Sequence, residues 1–103
     1  MRFLVTSIQT VPPPPEAALG LFDALSAWAK AHKEQGKLEQ IWSFAGLQGG
    51  GGIANVATLE ELDALMAGFP LAPFSHTEVY PLVDLEPSLE QVKQAIRAMM
   101  PPS

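Results

Sequence analysis

The run Phe74-Ser75-His76-Thr77-Glu78-Val79-Tyr80 sets an imidazole, a carboxylate and a phenol at two-residue intervals. In an extended strand, successive side chains alternate between faces, so His76, Glu78 and Tyr80 share one. Such a row supplies the parts of acid–base chemistry. His76 or Glu78 would be the base, the other its orienter, and Tyr80 a hydrogen-bond donor. The same three residues facing solvent on an edge strand would only protect that edge. Sequence alone does not assign the face.

Other residues could line a binding site. Trp28 and Trp42 are large enough either to wall an apolar pocket or to fill a core. His32 lies one turn beyond Trp28, where it edges a pocket or simply favours the negative end of a helix. Gln40 and Asn55 carry amides suited to a ligand carbonyl or to neighbouring backbone. Two histidines and scattered carboxylates show no metal-ligand spacing, so neither metal nor cofactor is expected.

The elements that must position these residues follow from periodicity. Arg2 to Gln9, rich in Phe, Val, Ile and Thr, reads as a strand, stopped by Pro12 to Pro15. The last proline suits the first turn of a helix from Glu16 to Gln35. Its stripe is Ala18, Leu21, Phe22, Leu25, Trp28 and Ala29, and Gly36 is placed to end it in a left-handed conformation. From Leu38 to Leu47 the pattern returns to a strand, with Leu38, Gln40, Trp42 and Phe44 on one face and Glu39, Ile41 and Ser43 on the other. Large apolar groups on both faces imply cover on both sides.

Four consecutive glycines, Gly49 to Gly52, raise the question of a phosphate loop. Such a loop needs a helix after the glycines, and here Ile53 to Ala57 reads as a strand, with no Lys or Arg near the run on either side. Gln48 to Gly52 is therefore expected to be a hairpin turn, with a mobile flap as the functional alternative. Thr58-Leu59-Glu60-Glu61 is a capping box opening a helix with Leu59, Leu62, Leu65 and Met66 inward. Phe74 to Val83 is the fourth strand. A last helix begins near Glu86, with Leu89, Val92, Ile96 and Met99 or Met100 expected to point inward.

The order strand, helix, strand, strand, helix, strand, tail helix predicts one α+β domain over residues 1–103, ferredoxin-like βαββαβ with a C-terminal helix. The 103 residues, 48% hydrophobic, suffice for a single core, and a chain this small gains by oligomerising. Eleven acidic against six basic residues give a net charge of −5, and no basic cluster offers a footprint for nucleic acid. Without cysteine there is neither disulfide nor thiolate chemistry. The first residues hold no signal-peptide core and no segment approaches the roughly 20 apolar residues of a membrane span, so a cytoplasmic location is expected.

Several motifs carry a family resemblance: Gln35-Gly36-Lys37, Ile41-Trp42, Gly46, Asn55-Val56, Glu61-Leu62, Leu65, then Phe69-Pro70-Leu71-Ala72-Pro73-Phe74 and Val79-Tyr80-Pro81-Leu82. In this succession, from about Phe3 to Leu82, the chain resembles the muconolactone isomerase family. The resemblance implies a ferredoxin-like subunit that pairs sheet to sheet into a dimeric α+β barrel, with homodimers assembling further into decamers. It also implies a cofactor-free shift of a double bond in an unsaturated lactone from aromatic catabolism.

The chain departs from the family pattern where charge is needed. Glu39, Gln40 and Ser43 stand where the second strand of the family carries basic or imidazole groups, and Leu4 and Thr6 replace polar groups on the first. Scaffold and chemistry can part in this way, because sites are grafted on folds. Three functions follow as expectations. The first is an isomerase-like protein acting on a small, largely apolar lactone or related ring. The second is a cofactor-independent monooxygenase or cyclase of the same barrel superfamily. The third is a non-catalytic small-molecule-binding or assembly protein.

Overall fold

A computed structural model describes residues 1–102. The elements are β1 (Arg2–Gln9), α1 (Pro15–Glu34), β2 (Leu38–Ser43), β3 (Gly49–Asn55), α2 (Leu59–Ala67), a short 3-10 turn (Ala72–Phe74), β4 (Ser75–Leu82) and α3 (Leu85–Met99). The four strands form one antiparallel sheet in the order β2-β3-β1-β4, the ferredoxin-like arrangement expected. Among the described residues no helix is long and apolar enough to cross a membrane.

Local sequence explains most boundaries. Pro15 occupies the first turn of α1, where its missing N–H leaves no bond unmade. The helix ends on Gly36 at φ +77°, with Gly36 N–H bonding Lys33 O and Lys37 N–H bonding His32 O. That pair of bonds is the Schellman closure, and it needs a residue at ease with positive φ. At the start of α2, Thr58 Oγ1 accepts from Glu61 N–H at 3.1 Å. The Glu61 carboxylate reaches back to Ala57 N–H, also at 3.1 Å, one residue earlier than a strict capping box.

The core gathers at one end of the sheet. Phe3, Val5, Leu38, Ala54 and Val56 meet Leu62 and Leu65 of α2, with Trp28 and Met66 packed against them. Phe3, Val5 and Ser7 mark the helix-covered face of β1, while Leu4, Thr6 and Ile8 belong to the open face. Leu59, expected inward, is exposed on the first turn of α2.

Several strand and helix expectations are corrected. The four glycines lie within β3 rather than at a hairpin tip. The turn is earlier, closed by Phe44 N–H on Gly49 O, with Gly46 at φ +80°. β2 stops at Ser43, and an irregularity between Leu38 and Gln40 breaks its alternation. Leu38 pairs with the core residue Ala54 while Gln40 pairs with Ile53, so they lie on opposite faces. As an edge strand, β2 leaves Ile41 and Trp42 exposed rather than covered on both sides. Finally, the stripe of α3 does not point inward. Leu89, Val92, Ile96, Met99 and Met100 are all exposed, and no residue of α3 is buried.

Candidate functional site

The glycines of β3 shape a concavity between α1 and the sheet. Gly50 and Gly52 pair with Ser7 and Val5, so they lie on the helix-covered face beneath α1. Without side chains they leave a gap beneath α1, and no α1 residue becomes fully buried. The result is a partly enclosed cavity of about 680 Å³ between α1 and the sheet. That volume is of the size that takes a small organic molecule.

The glycine requirement is steric as well as spatial. A Cβ on Gly51 would stand 2.8 Å from Val5 O, and one on Gly52 would stand 2.6 Å from Gln40 O. At Gly49 and Gly50 an added Cβ would collide with Ser7 O and Trp42 O. The neighbouring strands therefore come closer to β3 than side chains would permit, and the cavity floor is bare backbone.

Aromatic and aliphatic groups supply most of the cavity wall: Phe22, Leu25 and Trp28 from α1, Ile41 and Trp42 from β2, and Phe44 and Leu47 from the turn. Polar contributions come from the hydroxyls of Ser7, Ser26, Ser43 and Ser75 and the amides of Gln9 and Gln48. No Asp, Glu, His, Lys or Arg lines it. Such a surface can hydrogen-bond a carbonyl or ring oxygen, but it offers no counter-charge to a carboxylate.

The sequence candidates separate into groups. Trp28 and Trp42 both line the cavity. The indole of Trp28 meets the His32 ring edge-on at 5.2 Å between centroids and the Phe69 ring at 5.4 Å. His32 is half-buried behind Trp28 and does not reach the cavity wall. Trp28 Nε1 and His32 Nδ1 are buried without hydrogen-bond partners among the described residues.

His76, Glu78 and Tyr80 do come together, but elsewhere. They pair with Ile8, Thr6 and Leu4, the open face of the sheet, so the cavity lies on the other side. His76 Nε2 is 3.3 Å from Glu78 Oε1, and the Tyr80 hydroxyl donates to Glu78 Oε2. Tyr80 and then His76, both hydrogen-bonded to it, hold the Glu78 carboxyl below its usual range. The Glu78 carboxylate in turn raises the Tyr80 phenol.

Gln40 is exposed on the open face. Asn55 sits at the far end of the sheet, where its Nδ2 donates to Glu39 Oε2 at 3.4 Å. Glu39 also pairs with Arg2 at 2.8 Å, which lowers the carboxyl and raises the guanidinium.

Sequence reasoning passed over the polar cavity residues. One signal was available: Ser7 and Gln9 continue the buried phase of Phe3 and Val5, where apolar residues are expected. Ser7 is the buried polar residue of the chain's core side. The other hydroxyls come from separate elements and have no shared spacing.

Comparison with known proteins bears on this geometry. The profile of the family described as muconolactone delta-isomerase matches residues 1–86. A crystal structure of muconolactone isomerase at 3.3 Å resolution superposes with a TM-score of 0.77 at 24% identity, covering 84% of this chain and 92% of that one. No curated protein matches the chain. At that identity the structural likeness speaks for the fold.

Proposed function

Because the chain belongs to the muconolactone delta-isomerase family, we propose that it is a muconolactone isomerase-like protein whose cavity takes a small, uncharged, largely apolar ring compound, an unsaturated lactone or a related ring. One observation carries this reading: a 680 Å³ cavity walled by aromatic, aliphatic, hydroxyl and amide groups with no ionisable side chain. A carboxylate brought there would lose its hydration without gaining a partner. A neutral ring carbonyl would find hydroxyl and amide donors.

Binding is the role the cavity supports best. Moving a double bond needs a base within hydrogen-bond reach of the carbon acid. Both candidate bases, His76 and Glu78, stand on the opposite face of the sheet. The isomerase reading draws on the family match and on the His76–Glu78–Tyr80 network, and places any proton transfer on that open face. There, pairing of sheets from two copies would enclose it.

Trp28 and Trp42, the only tryptophans, both line the cavity and give a direct readout. A neutral butenolide is expected to change their fluorescence saturably, with anionic muconolactone binding far more weakly. Equal binding of the two would sink the uncharged-ligand reading. The same lactones incubated in deuterium oxide test catalysis. Proton exchange by the wild type that vanishes in His76→Ala or Glu78→Gln, with folding intact, would replace the binding role with the isomerase one.

A further inference from the structure

On its helix-covered face the sheet changes character from one end to the other. Counted across the strands, one row is Leu38, Ala54 and Phe3, and the next is Ile41, Gly52 and Val5. The row after that is Ser43, Gly50, Ser7 and Thr77, followed by Gln9 beside Ser75. Two apolar rows thus give way to two polar ones, all on one face by the two-residue period of a strand. The cavity spans the change, with Val5 and Leu38 at one end and Ser43, Ser7, Gln9 and Ser75 at the other. At the apolar end, Trp28 and Met66 pack against the core and also line the cavity.

Ser7 is the donor best placed at the polar end. It is only 8% exposed, and its Oγ accepts from Thr77 Oγ1 at 3.4 Å. A hydroxyl that accepts one bond still holds a proton to donate. Gly50, its neighbour on β3, has no side chain, so a carbonyl oxygen laid over Gly50 comes within reach of that proton. Trp28 Nε1, the unpaired donor at the apolar end, lies beside Gly68, which is not part of the cavity wall. A carbonyl turned toward that end would lose its hydration among hydrocarbon.

Size adds a second constraint. Cavities of about 680 Å³ enclose drug-sized molecules, whereas a bare butenolide ring has only a handful of non-hydrogen atoms. With the ring over Gly50, the space left beside it is bounded by Val5, Leu38 and Trp28, where hydrocarbon is favoured. On the uncharged-ring reading given above, on which this inference rests, we propose that the ligand is a neutral lactone carrying a hydrocarbon substituent and held one way round. Its carbonyl accepts from Ser7 over Gly50, and its substituent runs toward Trp28 and Leu38.

Tryptophan emission, titrated with neutral butenolides bearing methyl, butyl and octyl chains, tests the substituent. Each added methylene should tighten binding roughly fourfold until the apolar end is full. Equal affinities along a series that binds would overturn the substituent and leave the uncharged-ring reading standing. No binding by any member would sink that reading, and this inference with it.

Orientation has its own readouts. In Trp42→Phe the remaining indole is Trp28, and a bromine at the chain terminus should quench it more than the unbrominated ligand does. Bromine without that extra quenching would put the chain elsewhere and overturn the orientation. Ser7→Ala, checked for native circular dichroism, should weaken the lactone roughly three- to tenfold. Binding of the matching alkyl tetrahydrofuran, which lacks the carbonyl, should not change. Equal losses for the two ligands, or none for the lactone, would remove Ser7 as the donor and overturn the proposal.

Discussion

The phenol of Tyr80 donates a hydrogen bond to the carboxylate of Glu78, two residues earlier on the same face of β4. Across that carboxylate, His76 approaches the other oxygen at 3.3 Å. The strand period thus assembles a three-residue polar network without help from any other element. The sheet register sets it on the face away from the cavity.

Tyr80 is the only tyrosine, so its ionisation can be followed by ultraviolet absorbance without ambiguity. The neutral phenol donates to Glu78, and its anion would sit beside a carboxylate, so the folded value lies above the ordinary 10.0. The pair's contribution to stability is present below pH 10 and is lost as pH rises through the raised value. Glu78 behaves oppositely: its contribution is present above the ordinary 4.5 and is lost as pH falls through the lowered value. In Glu78→Gln the Tyr80 titration should move back down to about 10. An unchanged titration would mean that the hydrogen bond does not persist in solution.

Gly51→Ala should destabilise the chain by about 1–3 kcal/mol, since the new methyl would stand 2.8 Å from Val5 O and force strands apart. Gly20→Ala is the matched control. Nothing lies within 4 Å of its Cβ position and it sits inside α1, so it should stabilise by roughly 0.5–1 kcal/mol. Urea unfolding of the two variants beside the wild type decides it. Equal effects would show that glycine matters to β3 only through chain entropy.

Thr58→Ala removes the side-chain oxygen that accepts from Glu61 N–H at the start of α2. A loss of about 1 kcal/mol is expected by the same measurement. Thr58→Ser retains the acceptor and should recover most of it.

His32→Phe keeps a ring against the edge of Trp28 while deleting a buried nitrogen that has no partner among the described residues. Stability should be maintained or rise by about 1 kcal/mol, because an unsatisfied buried polar atom is costly. His32→Ala should lower it through loss of the aromatic contact. A large loss in the phenylalanine variant would reveal a hydrogen bond to His32 formed in solution.

Several features were legible from the chain as text. Proline at the head of α1, Gly36 at its end and Thr58 at the start of α2 act through backbone geometry within a few residues. Strand alternation placed His76, Glu78 and Tyr80 together for the same reason. The order of elements was enough to indicate a ferredoxin-like sheet, and the matching residues around Phe69 to Phe74 pointed to the family that the profile match establishes.

What the tertiary structure decided depends on contacts between distant segments. Glycine is locally compatible with either a turn or a strand, and only pairing of Gly49 to Gly52 with β1 and β2 made them strand. One irregularity in β2 reversed the faces of Leu38 and Gln40, since a strand's side-chain period is two and a single residue shifts its phase. Register likewise assigned the His76 row to the open face. The cavity arose from side chains that are missing beneath α1, and the polar groups around it come from elements far apart in sequence. Local spacing carries no record of that convergence. The sequence determined which residues share a strand, and folding determined which surface each strand presents.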